Sequence, residues 1–199
     1  TTETQPFGTG ELFRFNNLAA GLSYAYRFTS QFSAGVTVRY TYEQLGDVQV
    51  NAFTVDAGTF YWTGLGTTRF AVAVSNFSNQ KKPTGDVTLY DKTTVSGFRG
   101  FDAPTVFRIG FAMDPILDST NRLTLALQLN HPSDNAENYA LGGEYVLTFS
   151  DAFPAQIIAR AGYKLNVEEE DVSAGAGLVI PMLDNYNVTV DYAYTHFKT

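Results

Sequence analysis

The chain has 199 residues, a formal net charge of −7 and no cysteine, which excludes disulfide and thiolate chemistry and argues against a general nucleic-acid binder. Charged residues are 17% of the total, against the ~25% usual for soluble domains, while aromatic residues reach 15%. No apolar run attains the ~18 residues of a membrane helix.

The first residues, "TTETQPFGTGELF", hold no basic segment followed by an apolar stretch, so no signal peptide is expected there. The sequence then reads either as a mature form or as a piece of a longer protein, with residues 1–17 as the tail of a loop. "GTG" at 8–10 follows no strand and opens no helix, so it is not a phosphate loop. From there apolar and polar residues alternate almost without a break. The periodicity predicts ten strands, near 18–28, 32–43, 50–62, 68–77, 105–114, 121–131, 138–149, 155–166, 172–181 and 186–197. Most have the ~9–11 residues that a tilted strand needs to cross a bilayer. No amphipathic helix is expected, and no interdomain linker, so residues 1–199 read as a single domain.

The connections alternate in character. "TSQ", "TGLGT", "PILDST", "SDAFP" and "MLDN" are short and weakly charged. "QLGDVQ", "PSDNAE", "VEEED" and the long segment 78–104 are more acidic and, on average, longer. A meander puts the two sets at opposite ends, as outer-membrane barrels put short turns on the periplasmic side and longer loops outside.

In "FSAGVTVRYTYE", residues 32–43, Val36, Val38, Tyr40 and Tyr42 share a phase opposite to Arg39 and Glu43. The same split recurs in all ten segments. No charged residue falls on an apolar phase, whereas the opposite phases carry Arg27, Arg39, Glu43, Asp56, Arg69, Arg108, Asp114, Arg122, Glu144, Arg160, Lys164 and Asp191. A Lys or Arg facing lipid at the bilayer centre costs ~2–4 kcal/mol. A soluble barrel would also keep one face free of charge, so the polar face decides. It is mostly Gly, Ala, Ser and Thr with isolated charges, as in "SAGAGL", which suits a crowded polar lumen more than a solvated surface. Aromatics gather towards strand ends, Trp62 and Tyr186 at one and Tyr194 and Phe197 at the other, as lipid-interface belts do. The expectation is an all-β, antiparallel up-and-down transmembrane β-barrel in the bacterial outer membrane, in contact with its lipid. Val38, Tyr40 and Tyr42 should face lipid, Arg39 and Glu43 should face inward, and strands 18–28 and 186–197 should not pair with each other.

Two sets of candidate residues follow. The first is a lumen polar network of Arg27, Arg39, Glu43, Asp56, Arg69, Arg108, Glu144, Arg160, Lys164 and Asp191, read either as a packed ion-pair network or as an interior favouring anions. The second lies in the loop 78–104, where Lys81, Lys82, Tyr90, Lys92, Phe98, Arg99 and Phe101 combine cations with aromatics in the manner of an interface anchor. That loop could equally fold over the mouth and close it. His131 stands near Ser133 and Asp134, but neighbours in sequence do not make a triad, and two histidines without cysteine make a poor metal set. Residues 168–171, "EEED", lack the spaced oxygen ligands of a calcium loop. No catalytic residue, metal or cofactor is expected, and no nucleic acid as partner.

Several stretches resemble the PorV/PorQ family of outer-membrane proteins, which are similar to FadL-type fatty-acid channels. They are "LAAGLSYAYRFTSQFSAGVTVRYTYE", "FTVDAGTFY", "LTLALQLNHPSDN", "RAGYKL", "SAGAGL" and "VDYAYTHF", collinear over most of residues 18–197. The resemblance implies a barrel of about fourteen strands, three before Thr1 and one after Thr199, of which this chain would be a fragment. It also implies a non-enzymatic component of type IX-like secretion that engages secreted cargo or secretion-complex proteins. The alternative is a passive channel for hydrophobic or amphipathic solutes.

Overall fold

The computed structural model describes residues 14–89, 91–150, 154–168, 170–182 and 186–198. Ten long strands form one antiparallel sheet, and two short ones form a separate hairpin. The long strands are β1 (Phe15–Arg27), β2 (Phe32–Leu45), β3 (Val48–Trp62), β4 (Arg69–Ser78), β7 (Val106–Leu117), β8 (Asn121–Pro132), β9 (Asn138–Thr148), β10 (Gln156–Leu165), β11 (Glu170–Pro181) and β12 (Asn187–Phe197). The hairpin is β5 (Asp86–Thr88) with β6 (Thr94–Ser96). Spatial order in the sheet follows chain order from β1 to β12, with β7 beside β4. It is an up-and-down meander, and β1 and β12 are not neighbours in it.

All ten expected strands are present, with ends within a few residues of those the alternation predicts. The long connection differs from its sequence reading, because it holds a hairpin of its own. Its turns rest on backbone that few side chains adopt, with φ of +64° at Lys92, +121° at Gly85 and +75° at Gly97. Asp91 Oδ1 accepts the Thr93 amide at 2.9 Å, and that bond holds the Asp91 carboxyl below the usual range.

The described chain falls into two compact units. One contains 36–56, 75–104 and the residues up to Tyr24; the other contains 25–35, 57–74 and everything from Thr105.

Burial settles which way the faces point. Along β3, Phe53 and Val55 are exposed, while Ala52, Thr54, Asp56 and Gly58 between them are buried or half-buried. Val36 and Val38 on β2 are exposed too, at 42% and 46%. On β7, Ile109, Phe111 and Met113 are exposed, and Arg108, Gly110 and Asp114 are half-buried. The buried strand residues Ala52, Thr54, Val146 and Ile158 all belong to the charged phases. No large side chain is fully buried among the described residues. A soluble domain of this length would bury an apolar core; here the large apolar groups point away from the protein.

Candidate functional site

The charged face is held by side-chain pairs that cross from strand to strand. In the first unit, Arg39 Nη2 of β2 meets Asp56 Oδ2 of β3 at 3.0 Å. The other Asp56 oxygen accepts the backbone amide of Asn76 at 2.8 Å, where the chain takes a φ of +61°. Glu43, on the same phase of β2, is exposed and forms no ion pair among the described residues.

In the second unit the pairs form two clusters. Arg69 of β4 binds Asp114 of β7 through both guanidinium nitrogens, at 2.8 and 3.1 Å. Thr124 Oγ1 donates to Asp114 Oδ1 at 2.7 Å, and Thr67 Oγ1 both accepts from the Asp114 amide and donates to its carbonyl. Trp62 lies under the Arg69 guanidinium, its ring centre 5.2 Å away. Cation–π contact and a bidentate carboxylate together fix that planar group in one orientation. The carboxylate reaches this position beside an irregularity in β7, where the register to β8 shifts between Met113 and Ile116.

The second cluster is a ladder of alternating sign. Arg122 Nη2 of β8 meets Glu144 Oε1 of β9 at 3.1 Å, and Glu144 Oε2 takes Arg160 Nε of β10 at 2.8 Å. Arg160 Nη1 then reaches Asp191 Oδ1 of β12 at 2.6 Å. Four charges of alternating sign thus cancel along the row. Beyond it, Lys164 pairs with Glu170.

Within each unit the structure joins most of the expected network residues in pairs on the charged phase of their strands. Arg108 is half-buried on that face. Arg27 does otherwise: its guanidinium donates to the carbonyls of Thr29 and Ser30, at 3.1 and 2.7 Å, and so closes the β1–β2 turn instead of joining a cross-strand pair. Asp114 and Arg122 share the phase of the candidates and prove integral to the clusters. Thr67 and Thr124 carried no signal in sequence, because each acts through a partner on another strand; Trp62 is legible there only as a belt aromatic, and its contact with Arg69 comes from the structure.

Both histidines sit where strands meet acidic connections. His131 Nδ1 is 2.9 Å from Glu137 Oε1, and His196 Nδ1 is 3.1 Å from Asp171 Oδ1. Neither joins a nucleophile, and among the described residues no group of three or more His, Asp or Glu side chains could hold a metal.

The loop is pinned to the start of β3 and closed at its own base. Gln49 and Thr84 exchange two backbone hydrogen bonds of 2.9 Å, and Lys81 and Phe101 exchange two of 2.7 and 2.8 Å. Lys82, Lys92, Arg99 and Phe101 are exposed, Lys81 and Phe98 are half-buried, and Tyr90 lies outside the described residues. An interface anchor requires its aromatics to be exposed; Phe101 meets that expectation and the half-buried Phe98 departs from it.

No family model and no curated protein matches the chain. Among solved structures it is similar to the β domain of the Bordetella autotransporter BrkA, with a TM-score of 0.48 and 16% identity over 92% of this chain and 84% of that one. At that level the likeness says nothing of function.

Proposed function

We propose that the protein is an outer-membrane β-barrel whose apolar face meets lipid and whose charged face lines the interior. The observation that carries this is the orientation of the faces: Phe53 and Val38 point outward while Asp56 and Arg39 pair on the other side. Lipid tolerates the first set, and the low-dielectric surroundings of a filled barrel strengthen the second.

Within that class the chain acts as a non-enzymatic component of the PorV/PorQ type, in type IX-like secretion. It engages secreted cargo or secretion-complex proteins through the loop 78–104. The support is the loop's build: paired backbone bonds anchor it to Gln49 of β3 and close its base between Lys81 and Phe101, and it carries four cations along with exposed Phe101 and Leu89. A loop needed only to join two strands has no use for either feature. The cancellation of charge along the Arg122–Glu144–Arg160–Asp191 ladder favours a packed ion-pair network over an interior favouring anions, since no unpaired cation of that row is left to attract them; the alternative of a passive channel for hydrophobic or amphipathic solutes is addressed by the leak test.

The test is to shorten residues 80–102 to a tight turn in the membrane-inserted protein. Loss of cargo binding, with assembly intact and no solute leak, is the expected result. A new leak with partner binding unchanged would overturn the docking role and leave the loop as a gate.

A further inference from the structure

We propose that the outer edge of β6 takes an extended acidic polypeptide segment as an added strand, a step that rests on the partner-binding reading of the loop. β6 pairs with β5 along one edge and with no other strand among the described residues. Thr94, Val95 and Ser96 are all exposed. Exposed edges are ordinarily guarded by a proline, a bulge, a charged side chain within the strand or extreme shortness. β6 has only the last of these, and its three residues limit the added strand to a short stretch of pairing.

The edge is also prepared to bind. A two-stranded hairpin alone is marginal in water, but this one is tied to β3 through the Gln49–Thr84 bridge, and the Lys81–Phe101 bridge closes the base of its loop. An ordered edge loses little further entropy when a segment adds to it. Strand addition supplies affinity through the main chain and selects alternate side chains of the incoming segment.

Charge selects the occupant. Lys92 precedes β6 and Arg99 follows it, both exposed and neither ion-paired among the described residues. The loop carries four cations to three carboxylates in a chain of net charge −7, and Asp91 already serves the Thr93 amide. A segment alternating carboxylates with small apolar residues would meet the two cations and lay an apolar group against Val95. A phosphate-bearing lipid headgroup would use the cations alone and leave both the edge and Val95 unexplained.

The experiment uses the protein in phosphatidylcholine nanodiscs and a labelled peptide of about ten residues alternating Glu and Val, the length of one strand. Saturable binding is expected, weakened by at least about tenfold in Ser96→Pro, whose amide faces the open edge, and in the Lys92→Glu, Arg99→Glu double variant. The same peptide N-methylated at alternate residues should fail to bind the unaltered protein, which keeps the test valid if Ser96→Pro disturbs the hairpin. Equal binding of a Lys–Val peptide, or undiminished binding of the N-methylated one, would overturn the proposal. So would complete competition by phosphatidylglycerol vesicles, which would assign the cations to a headgroup. If shortening the loop abolishes binding of the native partner while Ser96→Pro leaves it intact, the edge proposal fails and the loop reading stands.

Discussion

Arg160 on β10 holds Asp191 on β12 across the whole width of the strand between them. Arg160 lies opposite Gly175 and Asp191 opposite Gly177, so β11 presents two glycines where the guanidinium passes. A methyl group at Gly177 would stand 2.6 Å from an Asp191 carboxylate oxygen and 3.3 Å from Ile158 Cβ. The run "SAGAGL" is therefore a gap that lets opposite charges two strands apart meet. Gly177→Val should separate them. Both partners are over a third exposed, at 41% and 49%, so solvent screening limits the ion pair itself to about 1 kcal/mol or less. The expected readout is faster hydrogen exchange in Val190 to Tyr192 with little change in β7 and β8. Unchanged exchange there would show that the pair does not hold β12.

The Arg69–Asp114 pair should matter more. Its side chains are only 19% and 9% exposed; Thr124 adds one hydrogen bond to the carboxylate, and Thr67 makes two to the Asp114 backbone. It also joins β4 to β7, two strands whose register cannot be set by a tight turn because the long loop intervenes. Asp114→Ala strands a half-buried guanidinium against Trp62 and should cost about 3 kcal/mol, the lower end for breaking a buried pair. Urea unfolding in lipid vesicles, run as a double-mutant cycle with Arg69→Ala, measures the coupling. Additive effects would count against it.

How far the sequence carries follows from these two pairs. Strict alternation told the face of Arg39, Asp56 and Arg160, because in a strand the face depends on phase alone. Partners depend on register and on what the intervening strand leaves open, and neither is written in one segment. Arg27 shows the limit: its phase is that of the network, but at a strand end the nearest acceptors are the carbonyls of its own turn. The β5–β6 hairpin escaped notice because three residues per strand are too few to display a period, and its anchorage at Gln49 is distant in sequence.

Thr54 gives a prediction of opposite sign. It is 4% exposed on β3, and its hydroxyl has no hydrogen-bond partner among the described residues. A buried hydroxyl without a partner costs about 1–3 kcal/mol in lost hydration, whereas an apolar group of the same shape does not. Thr54→Val should therefore be neutral or stabilising by up to about 1 kcal/mol. A clear loss of stability in the same urea assay would show that the hydroxyl is bonded after all.

Asp118 makes the β7–β8 turn sensitive to acid. Its Oδ1 accepts the amides of Thr120 and Asn121 at 2.9 and 2.6 Å, and these bonds hold its carboxyl below the ordinary range. A carboxyl lowered on folding contributes order that is complete above its unfolded value of ~3.9 and is lost as pH falls through the folded value. Amide exchange at Thr120 and Asn121 should accelerate relative to neighbouring amides as pH drops below about 4. Asp118→Ala should abolish that excess and leave the turn open at neutral pH. A pH-independent turn would show that the two amides find another acceptor.

The membrane assignment itself rests on two adjacent residues near the middle of β8. Leu127 is 47% exposed, opposite Phe111 and Leu141, both also exposed. Gln128 follows it on the other phase, opposite Gly110 and Ala140 and bonded to Asn130. If lipid covers the first face, Leu127→Arg puts a guanidinium near the bilayer centre at a cost of ~2–4 kcal/mol. Gln128→Arg puts the same charge beside small residues on the polar face, where that lipid penalty does not apply. The expected outcome is that Leu127→Arg lowers the yield of folded, heat-modifiable protein in outer-membrane fractions, while Gln128→Arg leaves it near that of the unaltered protein. In water both variants would fold, because Leu127 and Gln128 are both exposed and an exposed leucine tolerates replacement by a charge. A folded, soluble Leu127→Arg protein would overturn the reading of the whole outer face.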